Sequence, residues 1–353
     1  MLLVDLHRTL GAHLAPDNIP LHYGNPAQEY AQAHHASLLD RSHEGRLILT
    51  GKTRFDLLNR MSTNKTIDMP LNTGVGTIFT NPNARIIERA EVYHLGEQLL
   101  VLYNPSRRDS FREYLQRNIF FSDDVNISDI QPSTHQFALH GQEADAIVAQ
   151  IAPEVAPSPL YGVISTHVDE KPITLIKRKP VVGSHWAILV EQAHATSVFE
   201  KLLALGKPQG LTPVGSLTYN VLRIQYGQPA INELNDDYLP LELGLWDEVS
   251  FHKGCYTGQE IIARMDSREK LARVMVSLQL SQMVNSPATL YHNGVAVGRL
   301  TSSVQATDGN CFAIGIIKAT LAEPNTYIHI GDAHIDAHVQ HILGTQPKWV
   351  THK

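Results

Sequence analysis

The hydrophobic pattern changes period within "RLILTGKTRFDLLNRM", residues 46–61. A short apolar run stops at Gly51, and Phe55, Leu57, Leu58 and Met61 then recur three and four residues apart. That order reads as a strand, a glycine turn and an amphipathic helix. It returns in "QFALHGQEADAIVAQI", residues 136–151, with Gly141 in the turn and Ala144, Ile147 and Val148 on the helix. The two copies form a weak internal duplication, since so short a unit also recurs by chance. Upstream, residues 1–45 read as a helical entry: "NPAQEYAQAHHASLLDRSHEG" spaces apolar residues for a helix ending at Gly45.

Between the copies, "GVGTIFTNPNARIIERAEVYHLGEQLLVLYN" predicts an antiparallel meander with turns at Asn81–Pro82–Asn83 and Gly96, followed by the helix "RRDSFREYLQRNI". Residues 151–162 are proline-rich and read as a loop or linker. Strands resume over 163–191, and 192–206 predicts a helix ending at Gly206. From about residue 272 the texture becomes short strands with turns at His292–Asn293–Gly294, Asp308–Gly309 and Gly331, a small barrel or sandwich. Tight turns between strand neighbours favour an α+β fold over a doubly wound parallel sheet. A domain boundary is placed near residue 270, giving an α+β region over 1–270 of two interleaved subdomains and an all-β domain over 271–353.

Composition narrows the function. The chain has 353 residues, 43% hydrophobic and 18% charged, which is ordinary for a globular protein of two or three domains. Its net charge of −6 supplies no global field for nucleic acid or an anionic membrane. No apolar run is long enough to span a bilayer. The amino-terminal residues resemble neither a secretory signal nor a transit peptide, so cytoplasmic residence is expected.

Chemistry concentrates at "FHKGCYTGQEIIARM", residues 251–265, which holds one of the two cysteines, Cys255 and Cys311. Thr257 and Glu260 fit a capping box, with the helix running on through Ile261, Ile262 and Met265. Cys255 then sits before a helix N-terminus with Lys253 nearby, and both favour the thiolate. A small buried hydrophobe explains an unpaired cysteine equally well, so the residues alone leave both roles open. Cys311, inside an apolar strand, reads as structural.

"KGCYTGQE" resembles the signature of the YgfZ family of folate-binding, iron–sulfur-maturation proteins, relatives of the glycine-cleavage aminomethyltransferase, or T protein. "LDRSHEGRLILTGKTRFDLLNRMSTN", "LRIQYGQPAINELNDDYLPLELGL" and "VGRLTSS" extend the resemblance across nearly the whole chain. It implies a T-protein-like folate-binding region followed by a β-barrel, with tetrahydrofolate or a derivative as cofactor. It also implies iron–sulfur enzymes or assembly proteins as partners, with Cys255 as the functional thiol and Lys253 supporting it. Glu242, in Pro240–Leu241–Glu242, matches the T-protein segment whose carboxylate holds the pterin, a plausible acceptor for paired N–H donors. Without the resemblance it reads as a solvated loop glutamate. Asn104 resembles the T protein's folate-site asparagine, and Arg223 matches a further family position and is included as a folate contact, although a structural pairing explains an arginine at a helix–strand junction as well. Glu88 and Arg89 stand where the T protein carries Asp-Asp, and arginine cannot orient or deprotonate an amine as a carboxylate does. Glu88 should face the other side of the strand. The favoured expectation is a folate-binding accessory protein for cluster assembly or repair; the alternative is a tetrahydrofolate-dependent aminomethyl or related one-carbon transferase.

Two other clusters read as surface. His334, Asp336 and His338 alternate along a strand and suit a polar outer barrel face better than a metal site. Lys177–Arg178–Lys179 reads as a solvated hairpin rather than a cradle for a folate tail.

Overall fold

The computed structural model describes residues 1–153, 158–331 and 335–351. Both strand–glycine–helix units are present. Gly45–Thr50 runs through Gly51 into helix Arg54–Met61, and Thr134–Gly141 leads into helix Ala144–Ile151. The two turns are built alike. Gly51 and Gly141 have φ of 97° and 117°, and a Cβ there would lie 2.2 Å from the Asp124 carbonyl oxygen and 2.3 Å from that of His35. Only glycine fits both the angle and the space.

Each unit belongs to a different sheet. A five-stranded antiparallel sheet has the order Gly74–Thr80, Ile86–His94, Leu99–Tyr103, Gly45–Thr50, Asn126–Asp129. It packs on helices Arg54–Met61 and Arg108–Arg117 through Leu47, Leu57, Leu58, Phe79 and Phe111. A six-stranded sheet has the order Val163–Val168, Lys171–Arg178, Ser184–Glu191, Thr134–Gly141, Ser37–Asp40, Thr212–Pro213. Its pairs are antiparallel except the last.

The helical entry is shorter than its pattern predicts. The helix beginning at Pro26 ends at Gln32, and Ser37–Asp40 is an interior strand of the six-stranded sheet. Leu38 packs on one face of that sheet and Leu39 on the other. A strand buried on both sides loses the alternation that would distinguish it from a helical run.

Six antiparallel strands, from Arg273–Leu280 to Ile335–Ile342, close into a barrel. Its interior is continuous with a core that reaches Ile78 and Ile86 of the five-stranded sheet and Leu241 and Leu243 of the segment before it. Part of the proline-rich stretch and His334 lie outside the described residues. No helix among the described residues is long and apolar enough to cross a membrane.

Candidate functional site

Charge enters the centre of the molecule on strands. In Ile86–His94, alternation puts Arg89 and Glu91 on one face and Glu88 on the other, as expected. The end of Lys171–Arg178 supplies Arg178, and the turn after Ser37–Asp40 supplies Arg41 and Glu44. With Asn104 and Arg223 they line one cavity of about 130 Å³ between the two sheets and helix Ser216–Gln225. Asn104 caps the turn Pro105–Arg107, its Oδ1 accepting from Ser106 N at 3.2 Å and Ser106 Oγ at 2.9 Å. Arg223 donates from Nε to Asn220 Oδ1 at 2.8 Å and from Nη2 to Ser302 Oγ at 3.2 Å, which aims it between helix and barrel. Burial lowers its pKa, with Glu233 opposing.

The cavity wall is a set of linked ion pairs. Arg178 donates to Glu91 Oε2 at 2.6 Å and to Glu44 Oε2 at 3.0 Å, and Arg41 holds Glu44 Oε1 at 2.8 Å. Burial alone would raise both carboxyls; the guanidiniums instead hold Glu44 well below its ordinary range and Glu91 below its own. Arg89 forks onto Glu248, with Nε 2.8 Å from Oε2 and Nη2 2.6 Å from Oε1, and Lys179 shares Oε1 at 2.7 Å. Glu248 is 1% exposed, so its fork is a buried one. Both carboxylates lining the cavity are therefore claimed by arginines, and neither is free to orient an amine.

Lys177–Arg178–Lys179 is thus no solvated hairpin. Arg178 and Lys179 point inward to these carboxylates, and Lys177 joins Asp145 and Ser184. The sequence signal was available: charges inside "IIERAEVY" and at the end of "ITLIKRK" interrupt strands that are otherwise apolar.

Glu88, behind the cavity wall, is 1% exposed. Its Oε1 accepts from Arg89 N at 2.9 Å, while Oε2 makes no hydrogen bond and lies 3.9 Å from Arg107 Nε. Burial pushes this carboxyl up to about 8, against the pull of Arg107.

Cys255 is exposed to solvent and is not among the residues lining the central cavity. The buried-hydrophobe role is excluded for it, whereas Cys311 is buried in its barrel strand. The capping box is absent. The helix begins at Gln259, its N-cap is Gly258 at φ 85°, and no side chain caps it. Thr257 instead offers its carbonyl to Thr80 Oγ1, and a Cβ on Gly258 would lie 2.8 Å from Ala84 Cα. Close packing on the Asn81–Asn83 turn therefore displaces the cap. Lys253 does not serve the thiol. Its Nζ donates to the carbonyls of Asn59, Ser62 and Asn64 at 2.5, 2.7 and 2.7 Å, closing the C-terminal end of helix Arg54–Met61. Burial lowers its pKa to about 7.

The sequence matches the GCVT N-terminal domain family over residues 6–253. The chain belongs to this family. A chloroplastic protein of Arabidopsis thaliana, assigned by its name as a transferase, is 32% identical over 298 residues, covering 84% of this chain and 68% of the relative. An aminomethyltransferase of Caldanaerobacter subterraneus subsp. tengcongensis is 26% identical over 306 residues, or 86% of this chain and 77% of the relative. The crystal structure of glycine cleavage system aminomethyltransferase T from Bartonella henselae superposes with a TM-score of 0.82, covering 95% of each chain at 20% identity. The fold of this GCVT-family chain is thus the T-protein fold, with antiparallel sheets and a closed C-terminal barrel.

Of the three residues expected to hold folate, the structure brings two together. Asn104 and Arg223 share the central cavity, but Glu242 does not line it. Glu242 is 3% exposed and takes both Nε and Nη2 of Arg273 at 2.9 Å, while Leu239 N donates to it at 3.0 Å. Its oxygens fasten the turn Pro240–Leu243 to the first barrel strand. A pterin would have to displace a two-pronged guanidinium to reach it, so in this GCVT-family chain Glu242 is a structural clamp.

Proposed function

We propose that the protein binds a reduced folate, tetrahydrofolate or a derivative, in the central cavity and transfers a one-carbon group to or from it as a T-protein-type transferase. The observation that carries this reading is the convergence of Asn104 and Arg223 on one small cavity within a GCVT-family chain. The relatives named as aminomethyltransferases support the reaction class. Arg89, forked onto Glu248, puts a paired cation where the T protein has an aspartate. The donor is accordingly one that needs no carboxylate at this position, which separates it from the aminomethyl donor of glycine cleavage. Purified protein supplied with tetrahydrofolate should form methylene-tetrahydrofolate from aminomethyl donors, or methyl-tetrahydrofolate from N-methyl donors, over many turnovers. Folate binding without turnover on any of these donors would remove the transferase part of the proposal.

The exposed thiol of Cys255 favours a second reading, a YgfZ-type folate-binding accessory in iron–sulfur assembly or repair. One thiolate cannot hold a cluster alone, so a partner must supply the other ligands. In cells lacking the protein, Cys255→Ala should bind folate normally yet fail to restore cluster-dependent enzymes; full restoration would end this reading.

A further inference from the structure

A second cavity, of about 310 Å³, shares no lining residue with the central one. It lies between helix Leu3–Thr9, the loop before strand Pro20–His22, the turn after Asp40, and the start of strand Thr134–Gly141. A hydrogen-bonded chain fixes its wall. Tyr23 Oη lies 2.9 Å from His7 Nδ1, and His7 Nε2 lies 3.1 Å from Asp40 Oδ2. Ser42 N donates to Asp40 Oδ1 at 2.8 Å, and Ser42 Oγ lies 2.7 Å from His135 Nδ1. Because the Asp40 carboxylate only accepts, His7 carries a proton on Nε2.

The lining chemistry is one-sided. Two carboxylates, Asp17 and Asp40, face the cavity with His7, His43 and His135, and no lysine or arginine among the described residues lines it. The nearby Arg46 guanidinium is committed to five acceptors: the Thr134 hydroxyl and the carbonyls of Glu44, Ser42, Gln131 and Thr134. His43 Nδ1 is buried without a hydrogen-bond partner. Burial lowers His43 to about 4 and also lowers His135, so both imidazoles are neutral acceptors at pH 7. Leu3, Val4, Ile19 and Pro132 supply apolar wall. A ligand matching this surface brings N–H donors and positive charge on a short aliphatic body.

We propose that this cavity binds a small primary amine, its ammonium group held by Asp17 and the imidazole of His43 and its carbon chain lying against Leu3, Val4 and Ile19. The site is independent of what occupies the central cavity. The probe is n-butylammonium, with butan-1-ol and butyrate as the neutral and anionic counterparts, followed by calorimetry and saturation-transfer NMR on the full chain. Butylammonium should bind saturably, and butan-1-ol and butyrate should not. Asp17→Asn and His43→Leu should each weaken binding by about tenfold, the loss expected for a hydrogen bond to a charged group. Asp17 is exposed, so Asp17→Asn keeps the fold even if the histidine variant does not. Asn104→Ala should leave amine binding unchanged, and Asp17→Asn should leave folate binding unchanged. Absence of saturable butylammonium binding, equal binding of butyrate, or undiminished affinity in Asp17→Asn would overturn the proposal.

Discussion

Glu88 shows how a single buried group sets a pH dependence. Its folded pKa is about 8 against an ordinary 4.5, so between those values the folded chain keeps a proton that the unfolded chain has released. Stability contributed by this group is therefore complete below pH 4.5 and declines as pH rises toward 8. Glu88→Gln should match the parent near pH 4.5 and exceed it at pH 8 by on the order of 4 kcal/mol. Urea unfolding of both proteins at the two pH values checks this; a difference independent of pH contradicts it. The thiols make a second test. One of the two should react with a thiol reagent in the native protein and both in denaturant, because Cys255 is exposed and Cys311 is 4% exposed. At this scale the sequence left Cys255 open between a thiolate and a buried hydrophobe, and its exposure in the fold removes the second. Lys253 looked like its helper and Thr257 like a cap, yet Lys253 Nζ is taken by carbonyls of residues 59–64 and the Thr257 carbonyl by the Thr80 hydroxyl, all far away in sequence. Spacing along a loop carries no information about such partners.

The strand–glycine–helix units are the elements most legible in the sequence, because each combines a change of hydrophobic period with a glycine that no other residue can replace. Gly51→Ala and Gly141→Ala should each destabilise by about 2–4 kcal/mol, more than an ordinary surface glycine, since each adds a Cβ on a positive-φ residue against a carbonyl oxygen. Thermal unfolding of the two variants tests this, and a cost below about 1 kcal/mol would show that the turns relax. Ser37–Asp40 is the opposite case. Its four residues sit between two layers of core, so burial on both faces erased the period that identifies a strand. The setting of Glu242 was hidden for a related reason: its local motif was readable, but its partner Arg273 lies on the next element.

Across the whole molecule, the ion pairs between the sheets tie distant segments together at the cavity. Arg89 alone joins strand Ile86–His94 to the turn Trp246–Glu248, with Lys179 bridging from beyond Lys171–Arg178. Arg89→Met should cost about 3 kcal/mol because it leaves Glu248 buried beside a single cation, and adding Glu248→Gln should recover much of that loss. A double-mutant cycle without recovery would mean the pair does not act as a unit. The overall α+β architecture and the closing barrel were legible from turn spacing, whereas this inner network was not, since no local pattern announces which buried charges will meet. The proposed function requires that the cavity they enclose hold folate. Titrating tetrahydrofolate into the purified protein and into Asn104→Ala by anaerobic calorimetry tests this most directly. One saturable site in the parent protein, weakened about tenfold in Asn104→Ala, is the result predicted; no saturable binding, or identical affinity in the variant, would contradict it.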